Sequence, residues 1–142
     1  VDDAVGDHDA IRSLIAAYGE RIDSGDLDGV AALFERATWC SSGRVLTGPA
    51  QVRRVYDDVL LYDGIPCTQH AMTNVVVTVD GDRATSRCSF TVLQAVDGFP
   101  LQPVLAGRYH DEFARTERGW EFRDRTIHAD LRGDLSRHMR RR

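Results

Sequence analysis

A histidine stands at the start of an otherwise apolar run: His70 lies in TQHAMTN (68–74), which continues directly into VVVTVDGDRATSRCSF. Alternation along a strand puts His70, Met72, Asn74 and Val76 on one face, and Gln69, Ala71, Thr73 and Val75 on the other. The first set holds the largest apolar side chain, so His70 is expected to point inward. A buried neutral imidazole needs a partner for each ring nitrogen, since an unmatched one costs ~1–3 kcal/mol. His70 is therefore either a core histidine bonded to a backbone carbonyl or a base facing a ligand. Asp23 follows Ile22 at the end of the first helical stretch, where its carboxylate either caps the turn or meets a buried partner. Tyr18, on the same stripe, packs in the core or offers its hydroxyl to a neighbour or ligand. Arg125, in FRDRTIH, is a solvated strand residue or a fixed cation beside a developing anion.

Other chemistries are excluded by composition. All 18 basic residues are arginine. Without lysine there is no Schiff-base chemistry, no pyridoxal phosphate attachment and no P-loop lysine. Acid–base work falls to His, Asp, Glu, Tyr or Cys. Cys40, Cys67 and Cys88 lack C-x-x-C spacing and read as small buried hydrophobes rather than a disulfide framework or zinc site. His110 shares a strand face with Glu112, but no H-x-x-x-H or H-E-x-x-H pair exists, so no metal site is expected. His8, His128 and His138 lie at or near the ends of the chain. A net charge of -4 argues against a nucleic-acid surface. No apolar run reaches the ~20 residues that span a bilayer, and no signal-like segment opens the chain. A soluble, cytoplasmic protein with a trimmed N-terminus is expected.

The elements that must position these residues are legible in outline. HDAIRSLIAAYGERID (8–23) carries Ile11, Leu14, Ile15, Tyr18 and Ile22 at helical spacing, with Asp7 or Asp9 as candidate cap and Ser24-Gly25 as its end. Asp26 reads as the N-cap of a second helix, LDGVAALFE (27–35). ATWCSSG (37–43) is a short strand running into a turn. TGPAQVRRVYDDVLLY (47–62) is a third helix, with Pro49 near its start and Val52, Val55, Tyr56, Val59 and Leu60 on its apolar face. Two hairpins follow, turned at Asp80-Gly81-Asp82 and at Arg118-Gly119. RGDLSRHMRRR (132–142) shows no buriable stripe and reads as a solvated tail, whose basic end has at most an electrostatic contact with an acidic partner. The expectation is one α+β domain over 1–132 and a basic tail over 133–142. Its three N-terminal helices pack on a strongly bent, mainly antiparallel sheet, forming a cone-shaped α+β barrel that encloses a pocket.

Read together, AAYGERIDSGDLDGVAALF, TW, GP, TQHAMTNVVV and GRYHDEFARTERGWEFRDR resemble the SnoaL-like branch of the nuclear-transport-factor-2-like superfamily, from Ile11 to about Asp130. Within it the resemblance is to the dehydratase–dehydrochlorinase group, which includes bile-acid 7α-dehydratase, hexachlorocyclohexane dehydrochlorinase and scytalone dehydratase. The resemblance implies that Asp23 and His70, the latter in the H-x-x-x-N motif HAMTN, form a catalytic dyad. It places Tyr18 and Arg125 at two further active-site positions. The middle strand ATSRCSFTVLQ lacks the second histidine of scytalone dehydratase, and His110 faces away if Tyr109 faces the cavity.

In that setting His70 would take a proton from carbon, held in one tautomer by Asp23. Arg125 would stabilise an oxyanion or departing anion, and Tyr18 would hydrogen-bond or protonate the leaving group. Trp39, Met72, Phe90, Leu105, Tyr109 and Phe113 are the candidate apolar lining. The implied activity is a lyase without metal or organic cofactor, acting on a small hydrophobic alicyclic or polycyclic compound such as a steroid or polyketide. An isomerase or polyketide cyclase using the same base is the alternative. So is a non-catalytic module resembling the small subunit of ring-hydroxylating dioxygenases. A homo-oligomer, a dimer or trimer, is expected because the convex side of the sheet needs cover.

Overall fold

Apolar residues at every turn of the opening segment bury one face of α1 (Ala4–Asp23), with Ile11, Ile15, Tyr18 and Ile22 all in the core of the computed structural model, which describes residues 4–140. Asp7 lies inside this helix and does not cap it: its carboxylate takes two bonds from Arg115, at 2.7 and 2.9 Å, and one from Trp120 Nε1 at 3.0 Å. The turn through Gly25 leads to Asp26, which caps α2 (Leu27–Ala32) by accepting from Gly29 N at 2.9 Å. β1 (Thr38–Ser41) turns at Ser42-Gly43, both with positive φ, into β2 (Arg44–Thr47), a strand the sequence reading did not contain. α3 (Gly48–Val55) is shorter than expected and relaxes into a 3-10 turn at Tyr56–Asp58. The hairpins are β3 (Thr68–Asp80) with β4 (Arg83–Val96), and β5 (Phe99–Thr116) with β6 (Gly119–Arg132).

The six strands form one curved, mixed sheet in the order β2-β1-β6-β5-β4-β3, in which β1 runs parallel to β6 and every other pair is antiparallel. The sheet is not closed into a barrel; β2 and β3 are its edges. α1 lies against β3 and β6.

Two bulges decide which side chains face inward. In β3 the register passes from Thr73↔Ser89 to Val76↔Arg87, and Asn74 takes a φ of 54°. The face therefore reverses: His70 and Met72 share their side with Val77, whereas Val76, expected beside them, is exposed. In β6 the pairs Phe113↔Phe122 and Glu112↔Asp124 leave Arg123 extra, so Phe122 and Arg125, three apart, both enter the core. At the narrow end Phe122 stacks on Phe34 (5.4 Å between centroids) and tilts against Phe113 (4.8 Å).

The expected solvated tail is instead folded back across the open end. Gly133 N donates to Val104 O (2.9 Å), Leu60 N to His138 O (2.9 Å) and Arg140 N to Asp58 O (2.8 Å). Gln94 Nε2 and Tyr62 Oη both donate to Arg137 O. His138 is buried and Leu135 and Met139 are half-buried. Arg141 and Arg142, the end of the basic run, lie outside the described residues. Cys88 is buried as expected, but Cys40 and Cys67 are only partly so, and all three thiols are free. No helix is long and apolar enough to cross a membrane.

Gly19 is where α1 crosses β3 behind the histidine. A Cβ there would sit 2.9 Å from His70 Cβ and 2.9 Å from the Met72 methyl carbon. Gly19→Ala gains ~1 kcal/mol of helix propensity but overpacks a tight crossing, at a cost of ~1–3 kcal/mol. A net loss of about 1 kcal/mol is expected in urea denaturation, and a larger one for Gly19→Val. A more stable alanine variant would mean that helix and strand are not held this close.

Candidate active site

Asp23 at the end of α1 reaches the start of β3 with both oxygens. Oδ1 accepts from His70 Nδ1 and from Thr68 Oγ1, each at 2.7 Å, and Oδ2 accepts from the His70 backbone N at 2.7 Å. Burial pushes this carboxyl up, but the bonds from His70 and Thr68 outweigh it and hold Asp23 below the usual carboxylate range. An ionised carboxylate only accepts, so Nδ1 carries a proton, and in the neutral ring the lone pair is on Nε2. The His70 side chain is 6% exposed.

The ring forms part of the wall of a cavity of about 200 Å³ between the helices and the inner face of the sheet. Of the expected lining, Trp39, Phe90, Leu105 and Tyr109 are in this wall, and so is Tyr18. Phe90 and Tyr109 stack at 4.3 Å with their planes 6° apart, making one flat side. The Tyr18 and Tyr56 hydroxyls are hydrogen-bonded to each other. Burial, and then the Tyr18 hydroxyl, push the Tyr56 phenol well up, so it stays protonated. Tyr56 was legible only as part of a helical stripe.

Two lining expectations are corrected. Met72 faces α1 at Gly19 and an outer groove bordered by Arg12, Ala16 and Val75. Phe113 is packing at the narrow end, against Phe122. Both follow from position along the strand: Met72 sits under the helix crossing, and Phe113 lies too deep.

Arg125 is also placed differently from expectation. β6 is an interior strand, and Arg125 is 0% exposed. Its guanidinium makes two 2.8 Å bonds to Asp111, which is equally buried, and its carbon lies 3.9 Å from the Tyr109 ring centre and 4.3 Å from that of Tyr18. It sits behind the aromatic wall rather than in it. Burial opposes its charge, but Asp111 more than compensates and raises its pKa further. It is a cation that holds two cavity rings by their faces.

The sequence reading missed His138. Delivered by the folded-back C-terminal segment, it lines the same cavity, with its ring 6.5 Å from that of His70. Burial, then the neighbouring His70, lower its pKa to about 4. The available signal was faint: Leu135 and Met139 flank it at helical spacing. His110 faces outward, as expected from its alternation with Tyr109, and meets His128 at 5.0 Å on the outer face. Among the described residues no three of His, Cys, Asp and Glu lie close enough together to hold a metal ion.

An open helix-backed sheet with a histidine–carboxylate pair in the wall of an apolar cavity defines an α+β pocket protein of the nuclear-transport-factor-2-like class. The chain belongs to the SnoaL-like domain family, whose model matches residues 3–126. It is similar to an NTF2-like protein with a cystatin-like fold from Novosphingobium aromaticivorans, with 30% identity over 94% of this chain and 87% of that one, and a TM-score of 0.78. The fold is shared with two more structures from that organism. One is a candidate scytalone dehydratase, with 19% identity over 92% and 89% of the two chains and a TM-score of 0.74. The other is the beta subunit of a candidate aromatic-ring-hydroxylating dioxygenase, with 20% identity over 97% and 99% and a TM-score of 0.76. No curated protein matches this chain.

Two stability measurements check this description. Arg125→Leu leaves the Asp111 carboxylate buried without its cation and should cost ~3–5 kcal/mol, much of it recovered in Arg125→Leu with Asp111→Leu. His138 is neutral in the fold down to a pKa of about 4, whereas an unfolded histidine takes up a proton near ~6.5. Its contribution is thus complete above pH ~6.5 and is lost as pH falls toward 4, by about 3 kcal/mol. Urea denaturation at pH 7 and pH 4 should show that extra loss in the wild type and not in His138→Phe. Equal pH slopes would place His138 in solvent.

Proposed function

We propose that the protein is a lyase of the dehydratase type, acting on a small hydrophobic alicyclic carbonyl compound without metal or organic cofactor. The observation that carries this reading is the 2.7 Å bond from His70 Nδ1 to Asp23 beside an apolar cavity. His70 Nε2 takes a proton from carbon next to the substrate carbonyl. The electron pair moves into the carbonyl as an enolate, held by a hydrogen bond from the Tyr18–Tyr56 pair. The enolate then collapses to a carbon–carbon double bond as the β carbon–oxygen bond breaks. The departing hydroxide receives the proton back from the His70 imidazolium, so water leaves and the base is restored. Every atom moved belongs to the substrate, and no electron carrier is required. Arg125 acts at one remove, by fixing the Tyr18 and Tyr109 rings.

Cavity size narrows the substrate. About 200 Å³ is below the ~300–1,000 Å³ typical of pockets for drug-sized ligands, which favours one or two rings over a tetracyclic steroid. The isomerase or cyclase reading uses the same proton abstraction and differs only in what the enolate does next. Likeness to a dioxygenase beta subunit keeps a non-catalytic ligand-holding role as the reading to beat.

The test is a panel of β-hydroxy and β-chloro carbonyl compounds in deuterated water, followed by NMR. His70→Ala should lower both exchange at the carbon next to the carbonyl and elimination by ~10²–10⁴-fold, the usual worth of a positioned base. Asp23→Asn should lower both as well. Exchange that continues unchanged in His70→Ala would remove His70 as the base.

A further inference from the structure

Two residues that line the cavity each carry a buried polar atom with no hydrogen-bond partner among the described residues: Trp39 Nε1 and His138 Nδ1. Both residues are 6% exposed. Native folds seldom leave such atoms unpaired unless something else meets them. Among the described residues neither atom is bonded, although the polar side chains of Ser41, His70 and Arg132 also line this cavity. Trp39 projects from β1, an interior strand between β2 and β6, into a wall made mainly of aromatic and aliphatic side chains. His138 faces His70 across 6.5 Å, but the Asp23 carboxylate behind that ring is already taken up by His70 and Thr68.

The two atoms ask for different things. An indole N–H only donates, so its partner must be an acceptor such as a carbonyl oxygen. A neutral imidazole offers one donor and one acceptor nitrogen, and a hydroxyl, which does both, satisfies Nδ1 in either tautomer. Burial keeps His138 in that neutral form at neutral pH.

We propose that Trp39 and His138 are the two recognition residues of this cavity, the indole N–H binding one acceptor oxygen of a compact ring compound and His138 binding a hydroxyl elsewhere on the same ring. The cavity thereby selects doubly oxygenated rings over singly oxygenated ones. The inference rests on the reading that this cavity is the ligand site, and it adds which functional groups the ligand carries and which residues read them. Both atoms lie outside the His70–Asp23 dyad, so recognition and proton transfer are separable.

The experiment measures binding of 3-hydroxycyclohexanone and cyclohexanone by ligand-observed NMR, in the wild type, Trp39→Phe and His138→Phe. One well-formed hydrogen bond is worth roughly tenfold in affinity. Wild type should bind the hydroxyketone roughly tenfold more tightly than cyclohexanone, and His138→Phe should erase that preference. Trp39→Phe should weaken both probes by roughly tenfold while keeping the preference. Thermal melting reports whether each variant is folded. His138→Asn, which keeps a polar partner, should restore part of the preference that His138→Phe loses. A preference that survives in His138→Phe, unchanged affinities in Trp39→Phe, or a wild type that binds neither probe would each overturn the proposal. The same titrations on His70→Ala separate the two readings. Loss of elimination with the probe preference intact supports both, whereas an intact preference with unchanged elimination overturns only the lyase reading.

Discussion

The carboxylate of Asp23 is the joint on which the site depends. β3 is a sheet edge, and its outward-facing backbone groups have no strand to pair with. Asp23 Oδ2 takes the outward N–H of His70, while Oδ1 takes the imidazole Nδ1 and the Thr68 hydroxyl. One side chain therefore closes the edge against the helix, sets the height of α1 on the strand and fixes the tautomer of the ring. Charge-assisted bonds of this length are stronger than neutral ones. Burial works against the charge on Asp23, whose side chain is 20% exposed, and the bonds from His70 and Thr68 outweigh it. The absence of a side chain on Gly19 belongs to the same device, since helix and strand could not approach this closely otherwise.

Behind the dyad, the cone is layered. The narrow end is filled by Phe34, Phe113 and Phe122. Above it lies the sealed Arg125–Asp111 pair, and above that the rings of Tyr18, Tyr109 and Phe90 that form the cavity wall. A cavity lined by flexible aliphatic chains would tend to fill itself. Here aliphatic chains share the wall with planar groups, and Tyr18, Tyr109 and Phe90, held on a cation and on each other, keep one side of the space in shape. The buried pair is an expensive way to brace a wall, because two charges leave water to do it. What it supplies is a fixed guanidinium plane, which an apolar residue of similar volume would not provide.

Local pattern revealed the helices α1 and α2 and both hairpins, because their apolar spacing and turn residues agree with the final packing. It failed wherever backbone geometry, rather than side-chain pattern, set the outcome. The bulge at Asn74 reverses the face of β3, and strict alternation then misplaces Val76. The extra residue at Arg123 turns Arg125 inward beside Phe122, which no period-2 reading allows. β2 has only four residues with an exposed face, too short for a pattern to register. The dyad could be anticipated from residue types and resemblance, but Arg125 could not be placed behind the wall without knowing that β6 is flanked on both sides.

The C-terminal segment failed for a different reason, and that reason bears on specificity. It is held largely by backbone bonds from Leu60, Arg140 and Gly133 and by Gln94 and Tyr62 binding the Arg137 carbonyl, while Leu135 and Met139, half-buried on the core, make too short a stripe for a pattern to register. The SnoaL-like match ends at residue 126, yet Arg132, Leu135, His138 and Met139 all line the cavity. Residues up to 126 supply the helices, most of the sheet and the Asp23–His70 pair. The residues after them supply one wall of the space beside His70. That wall carries a buried imidazole whose ring lies 6.5 Å from that of His70, so the docked segment sets the shape and polarity of the space beside the pair.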